Sequence, residues 1–98
     1  MKNLLLGIDI GTSACKVAVF DEDGGVLAQT NKPYQVYYPQ SGWAEQDADE
    51  WWAAICEGVR EVLAENSVDA ERIRGIGVDG QSWSAIPVDR EGNALCRT

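Results

Sequence analysis

The sequence predicts an α/β fold on one mixed sheet: an antiparallel β-meander, a crossover helix, a strand parallel to the first, and a closing β-hairpin. Three observations carry this. Short β-rich runs at 4–10, 16–20 and 26–30 are separated by tight glycine-bearing reversals. Trp52, Ile55, Cys56, Val59, Val62 and Leu63 recur at helical spacing. A further aliphatic run, 73–80, follows the helix, and strand–helix–strand order favours parallel pairing through a right-handed connection.

Leu4-Leu5-Leu6-Gly7-Ile8-Asp9-Ile10 is a short apolar run closed by Gly11, the pattern of a strand buried on both faces. Lys16–Phe20 leads into Asp21-Glu22-Asp23-Gly24-Gly25, a turn cluster whose glycines accept positive φ, and Val26–Thr30 returns as the third strand. Residues 31–46, with Pro33, Pro39, Gly42 and three Tyr, read as an ordered connection. Asp47 is the expected N-cap and Glu50 completes a capping-box pattern, while Asp49 and Glu50 suit the positive end of the helix dipole. Trp51 and Trp52, in the first helical turns, are expected to pack the helix onto the sheet, with Trp43 pinning the connection before it. Asn66-Ser67 is the expected stop. Ile73–Gly80 reads as an inner strand, and 85–88 and 94–96 flank the turn Asp89-Arg90-Glu91-Gly92-Asn93 as a second hairpin. That turn echoes the first, which shared turn chemistry explains without duplication. Neither acidic turn has the ligand spacing or closing Glu of an EF-hand.

The 98 residues fall within the size of one small domain. Sixteen acidic against eight basic residues leave a net charge of −8, which suits solubility. There is no basic patch for nucleic-acid phosphates or anionic lipid, so neither partner is expected. Cys15, Cys56 and Cys96 are odd in number and widely spaced, and the sequence has no His. A disulfide framework or zinc site is therefore not expected, and a reducing cytoplasm is the natural compartment. The opening leucines are interrupted by Gly7 and Asp9 too early for a signal peptide, and nothing approaches membrane-spanning length.

The segment richest in chemistry is Gly7-Ile8-Asp9-Ile10-Gly11-Thr12-Ser13-Ala14-Cys15-Lys16. It is neither a P-loop, which needs G-x-x-x-x-G-K-S/T, nor a G-x-G-x-x-G dinucleotide turn. It offers a carboxylate at a strand's end, a glycine turn, two hydroxyls, and a cation on the returning strand. Backbone N–H groups at Gly11-Thr12-Ser13 can approach phosphate oxygens, and the hydroxyls of Thr12 and Ser13 can donate further hydrogen bonds. Asp9 repels phosphate but can hold Mg²⁺, which bridges to phosphates. The same spacing also fits an ordinary hairpin in which Asp9 caps turn amides.

Asp9-x-Gly11-Thr12-x-x-x-Lys16 resembles the first phosphate motif of the actin, Hsp70 and sugar-kinase superfamily, built on a ribonuclease-H-like fold. Gly42-Trp43-Ala44-Glu45-Gln46-Asp47, then Trp51-Trp52, then Gly77-Val78-Asp79-Gly80-Gln81, resemble the FGGY carbohydrate kinases, xylulokinases especially. The motifs occur in that family's order and spacing and span essentially the whole chain. The resemblance implies ATP and Mg²⁺ as cofactors, with Asp9 assisting the metal and Gly11, Thr12 and Ser13 facing the β- and γ-phosphates. Lys16 is the family's usual basic residue near them, although a solvated strand charge fits equally. Ala14 stands where many relatives have glycine.

Gln81-Ser82-Trp83 follows the inner strand at its carboxyl end, where α/β sheets place ligands. Xylulokinases commonly read Gln-Met-His there and contact the sugar. Gln81 matches, while Ser82 and Trp83 depart. Ser82 can still donate and accept, and Trp83 can stack on a sugar face or serve as a core aromatic. D-xylulose leads among substrates, with another ketopentose or a sugar alcohol open. An actin- or Hsp70-type ATPase would share the phosphate hairpin but leaves the later motifs without a reason. A non-enzymatic binding module that kept the hairpin is the remaining alternative.

In the FGGY family the general base is an aspartate well downstream, and the adenosine site lies in a second domain. Residues 1–98 are therefore expected to be the amino-terminal part of the first kinase domain, holding no catalytic base. Such a piece is expected to be inactive alone and to self-associate through the free edge of the Ile73–Asp79 strand. A homodimer of the full-length protein is also open.

Overall fold

The computed structural model describes residues 2–98. Its strands are β1 (Leu4–Ile10), β2 (Ala14–Asp21), β3 (Val26–Pro33) and β4 (Ile73–Gly80). The helix α1 (Ala48–Ala64) and short 3₁₀ turns at Glu65–Ser67 and Ala70–Arg72 join β3 to β4. The sheet order is β3-β2-β1-β4, with β1–β2 and β2–β3 antiparallel and β1–β4 parallel. The meander and the parallel crossover therefore stand as predicted.

Local chemistry explains the reversals. At the first, Gly11 N–H donates to the Ala14 carbonyl at 3.0 Å. At the second, the Asp21 carboxylate accepts from Gly25 N–H at 2.8 Å and Asp23 N–H at 2.9 Å, and Gly24 takes φ +86°. The bond from Gly25 is the main reason the Asp21 carboxyl sits below its usual pKa.

Alternation sorts the sheet into two faces. Leu4 and Leu6 of β1, Cys15, Val17 and Val19 of β2, and Ala28 of β3 are buried beneath Ala54 and Val62 of α1. Gly58 is where the helix comes closest to the sheet: a Cβ there would lie 2.8 Å from Val17 Cγ2. The second face lacks a covering layer among the described residues, and Leu5 on it is 44% exposed. β1 is thus buried on one face, not both. β4 is an edge strand, and its Ile76 and Val78 are exposed because α1 packs over β2 and β3.

Three further expectations change. Asp47 is the N-cap, accepting from Asp49 N–H at 2.9 Å, but the capping box is not closed. The Glu50 carboxylate instead accepts from the Tyr37 hydroxyl at 2.5 Å, which ties the helix start to the preceding connection. Trp51 packs at 6.4 Å from Tyr34, ring centroid to centroid, whereas Trp52 is 66% exposed. The helical step of about 100° between neighbours prevents both indoles from facing the sheet. The second hairpin contracts to the single bridge Val88–Ala94 around an Asp89 carboxylate that accepts from Glu91 and Asn93 N–H groups. Its turn chemistry was legible, but the flanks are too short to extend a ladder.

Candidate functional site

The turn between β1 and β2 is held from behind by its carbonyls. The Gly11 carbonyl accepts from Gln81 Nε2 at 3.0 Å and from the Tyr34 hydroxyl. The Thr12 carbonyl accepts from Gln46 Nε2 at 2.6 Å, and the Ser13 carbonyl from Tyr34 N–H at 3.2 Å. All peptide bonds described are trans. In a trans peptide the C=O and the following N–H point opposite ways, so carbonyls drawn inward turn the N–H groups of Thr12 and Ser13 outward. Thr12 and Ser13 are themselves exposed. Successive outward amides form a concavity suited to an anion. Gly11 lets the chain turn this tightly: a Cβ there would lie 3.0 Å from the Ala14 carbonyl oxygen.

Two clefts lie nearby, and the first reaches this turn through Thr12. One, of about 420 Å³, is lined by Thr12, Val36, Ala44, Gln46, Gln81, Trp83, Ser84 and Thr98. The other, of about 480 Å³, lies over the uncovered sheet face, with Gly7 and Gly77 on its floor and Asp9, Lys16 and Asp79 at one end. Strand register explains that end, because Asp9 pairs with Lys16 across β2 and with Asp79 across β4. Lys16 is exposed and joins no ion pair among the described residues. Cys15 beneath the turn is fully buried, and burial, then the Asp9 charge, push its thiol pKa up. It is a core residue.

The structure therefore distributes the predicted residues. Asp9 and Lys16 share the sheet-face cleft, while Thr12, Gln81 and Trp83 share the other. Ser82 lines neither, and Ser84 takes the place on the wall that was expected of it. Trp83 is fully exposed and has φ +68°, a region that bulky side chains rarely occupy. The core alternative for Trp83 does not hold among these residues. Sequence reasoning missed Asp79 and Gln46. Asp79 was visible only as part of a motif, and its place beside Asp9 depends on register between strands 70 positions apart in the sequence.

Comparison with known proteins follows the same lines. The family model for the N-terminal domain of FGGY carbohydrate kinases matches residues 4–98. A glycerol kinase from Staphylococcus haemolyticus is 33% identical over 90 residues, which are 92% of this chain and 18% of that protein. A xyloylose kinase from Brucella ovis superposes with a TM-score of 0.90 at 30% identity, covering 97% of this chain and 20% of that one. A gluconate kinase from Lactobacillus acidophilus gives 0.86 at 25%, covering 99% and 19%. The chain thus spans about a fifth of the length of these relatives. Its mixed sheet is the amino-terminal part of the ribonuclease-H-like sugar-kinase fold.

Proposed function

The chain belongs to the FGGY family of carbohydrate kinases, and we propose that the full-length protein transfers a phosphoryl group from ATP to a sugar hydroxyl, with D-xylulose or a related ketopentose as substrate. The observation that carries this reading is the phosphate turn, whose carbonyls are tied inward and whose amides face outward beside a cleft holding Gln81 and Trp83. The likeness to a xyloylose kinase supports the pentose, while Ser82 and Trp83 keep other sugars and sugar alcohols in the test.

Phosphoryl transfer depends on positioning and on neutralising charge. The amides and hydroxyls of Thr12 and Ser13 would hold β- and γ-phosphate oxygens, with the Lys16 ammonium approaching from β2. Asp9 would hold Mg²⁺, with Asp79 its direct register partner on β4. Among the described residues no cluster of three or more His, Cys, Asp or Glu could hold a metal. Two carboxylates suit Mg²⁺, which takes one or two such ligands and completes its shell with water and substrate phosphates. When bound, the cation supplies charge that stabilises the transferring phosphoryl group. Gln81 would bond sugar hydroxyls from the cleft wall it shares with Ser84, and the exposed Trp83 indole would cover an apolar sugar face. The base that accepts the hydroxyl proton and the adenosine site are not assigned among these residues, and the reaction is proposed for the full-length protein.

The test is ADP release by the full-length protein across a panel of ketopentoses, aldoses, polyols and gluconate. Release above background with a ketopentose and much less with the others is expected. Release independent of any sugar would refute the kinase reading, and preference for a polyol or acid sugar would replace the substrate.

A further inference from the structure

Gln46 is the one buried polar side chain among the described residues, 8% exposed, and the proposed chemistry gives it no task. Its carboxamide sits between the two halves of the site. Gln46 Nε2 donates to the Thr12 carbonyl at 2.6 Å, and Gln46 Oε1 accepts from Trp51 Nε1 at 3.0 Å and from Gln81 Nε2 at 2.8 Å. The orientation of the amide is fixed by chemistry, because an indole N–H can only donate and a backbone carbonyl can only accept. The backbone of Gln46 is fixed as well: its N–H donates to the Thr98 carbonyl at 2.8 Å and its carbonyl accepts from Thr98 N–H at 2.9 Å.

We propose that Gln46 is a positioning residue that locks the phosphate turn and the sugar-facing amide of Gln81 into one unit. Holding the Thr12 carbonyl turns the Ser13 N–H outward, toward the phosphate. Accepting from Gln81 Nε2 fixes the carboxamide of Gln81, which also reaches the Gly11 carbonyl. Neither of those bonds uses the Gln81 carbonyl oxygen, which is left as the acceptor for a substrate hydroxyl. One carboxamide thus sets the geometry of both binding partners, which explains a buried polar group that bonds to each of them. This inference rests on the kinase reading above and extends it to how the sugar and phosphate sides are aligned.

The test uses the full-length protein with Gln46→Leu and Gln46→Glu, measuring KM for ATP and for sugar, kcat, and the unfolding temperature. Gln46→Leu removes every side-chain bond, and both KM values are expected to rise about 5- to 10-fold, the scale of a lost neutral hydrogen bond. Gln46→Glu keeps an acceptor for Trp51 and Gln81 but sets a carboxylate against the Thr12 carbonyl. Its sugar KM should stay within about twofold of wild type while its ATP KM rises about as far as in the leucine variant. A purely structural role would lower the unfolding temperature and kcat and leave both KM values unchanged, which overturns the proposal. If the leucine variant does not fold, the glutamate variant decides alone: equal shifts in both KM values, or none, overturn it. Wild-type protein without sugar-dependent turnover overturns the kinase reading first, and that outcome is distinct from a turning-over wild type with indifferent variants.

Discussion

Replacing Gly58 with alanine tests the packing that supports the phosphate turn. Two effects oppose each other. Alanine is favoured over glycine inside a helix by about 1 kcal/mol. The added methyl, however, would lie 2.8 Å from Val17 Cγ2, 3.4 Å from Val17 Cβ and 3.5 Å from Thr30 Cγ2. Val17 is fully buried in the middle of β2 and is β-branched, so it cannot swing aside cheaply. Overpacking of this kind costs about 1–3 kcal/mol, so a net destabilisation of about 1 kcal/mol is expected. Hydrogen exchange of the α1 amides in the full-length protein reads this directly, with exchange about fivefold faster at that cost. Val17→Ala in the same chain vacates the space the new methyl needs. The double variant should therefore be less destabilised than the sum of the singles, by about 1 kcal/mol. Unchanged or slower exchange in Gly58→Ala, or strict additivity of the pair, would refute the close-approach reasoning.

Trp83→Ala should chiefly alter sugar selectivity in the full-length protein, because the indole is exposed at the rim of the cleft that holds Gln81. An unchanged ranking of kcat/KM across the sugar panel would remove Trp83 from the substrate site. Alkylation at pH 8 should modify the exposed Cys96 and spare Cys15, whose thiol is buried and has its pKa raised by burial and by Asp9. Since a raised thiol pKa means less thiolate at a given pH, labelling of Cys15 should lag that of Cys96; early labelling of Cys15 in folded protein would contradict its place in the core.

Much of this arrangement was legible because its signals are local. The Asp21–Gly25 reversal, the Asp47 cap and the spacing from Trp52 to Leu63 each lie within a few residues of what they determine. The register of β4 on β1 was not local. It shifts between Leu4 and Leu5, so that Asp79 rather than Val78 lies beside Asp9. A slip of one residue would change which side chains share a face, and no nearby residue announces the shift. Gln46 was equally hidden. It sits between two acidic residues in what reads as a polar connection, and its burial depends on Trp51, Gln81 and the Thr98 backbone closing around it. Glu50 shows the opposite case: a local pattern predicted one partner, and Tyr37, thirteen positions away, supplied another.

The central claim is that the β1–β2 turn holds phosphate while the Gln81 cleft holds sugar. Asp9→Ala in the full-length protein separates the two, since Asp9 lines the sheet-face cleft and Gln81 the other. The decisive measurement is sugar-dependent ADP release alongside calorimetric sugar binding. Turnover should fall by about two orders of magnitude or more, as expected when a metal-holding carboxylate is lost, with sugar affinity within a fewfold of wild type. Turnover retained within tenfold, or sugar binding lost together with turnover, would contradict the account.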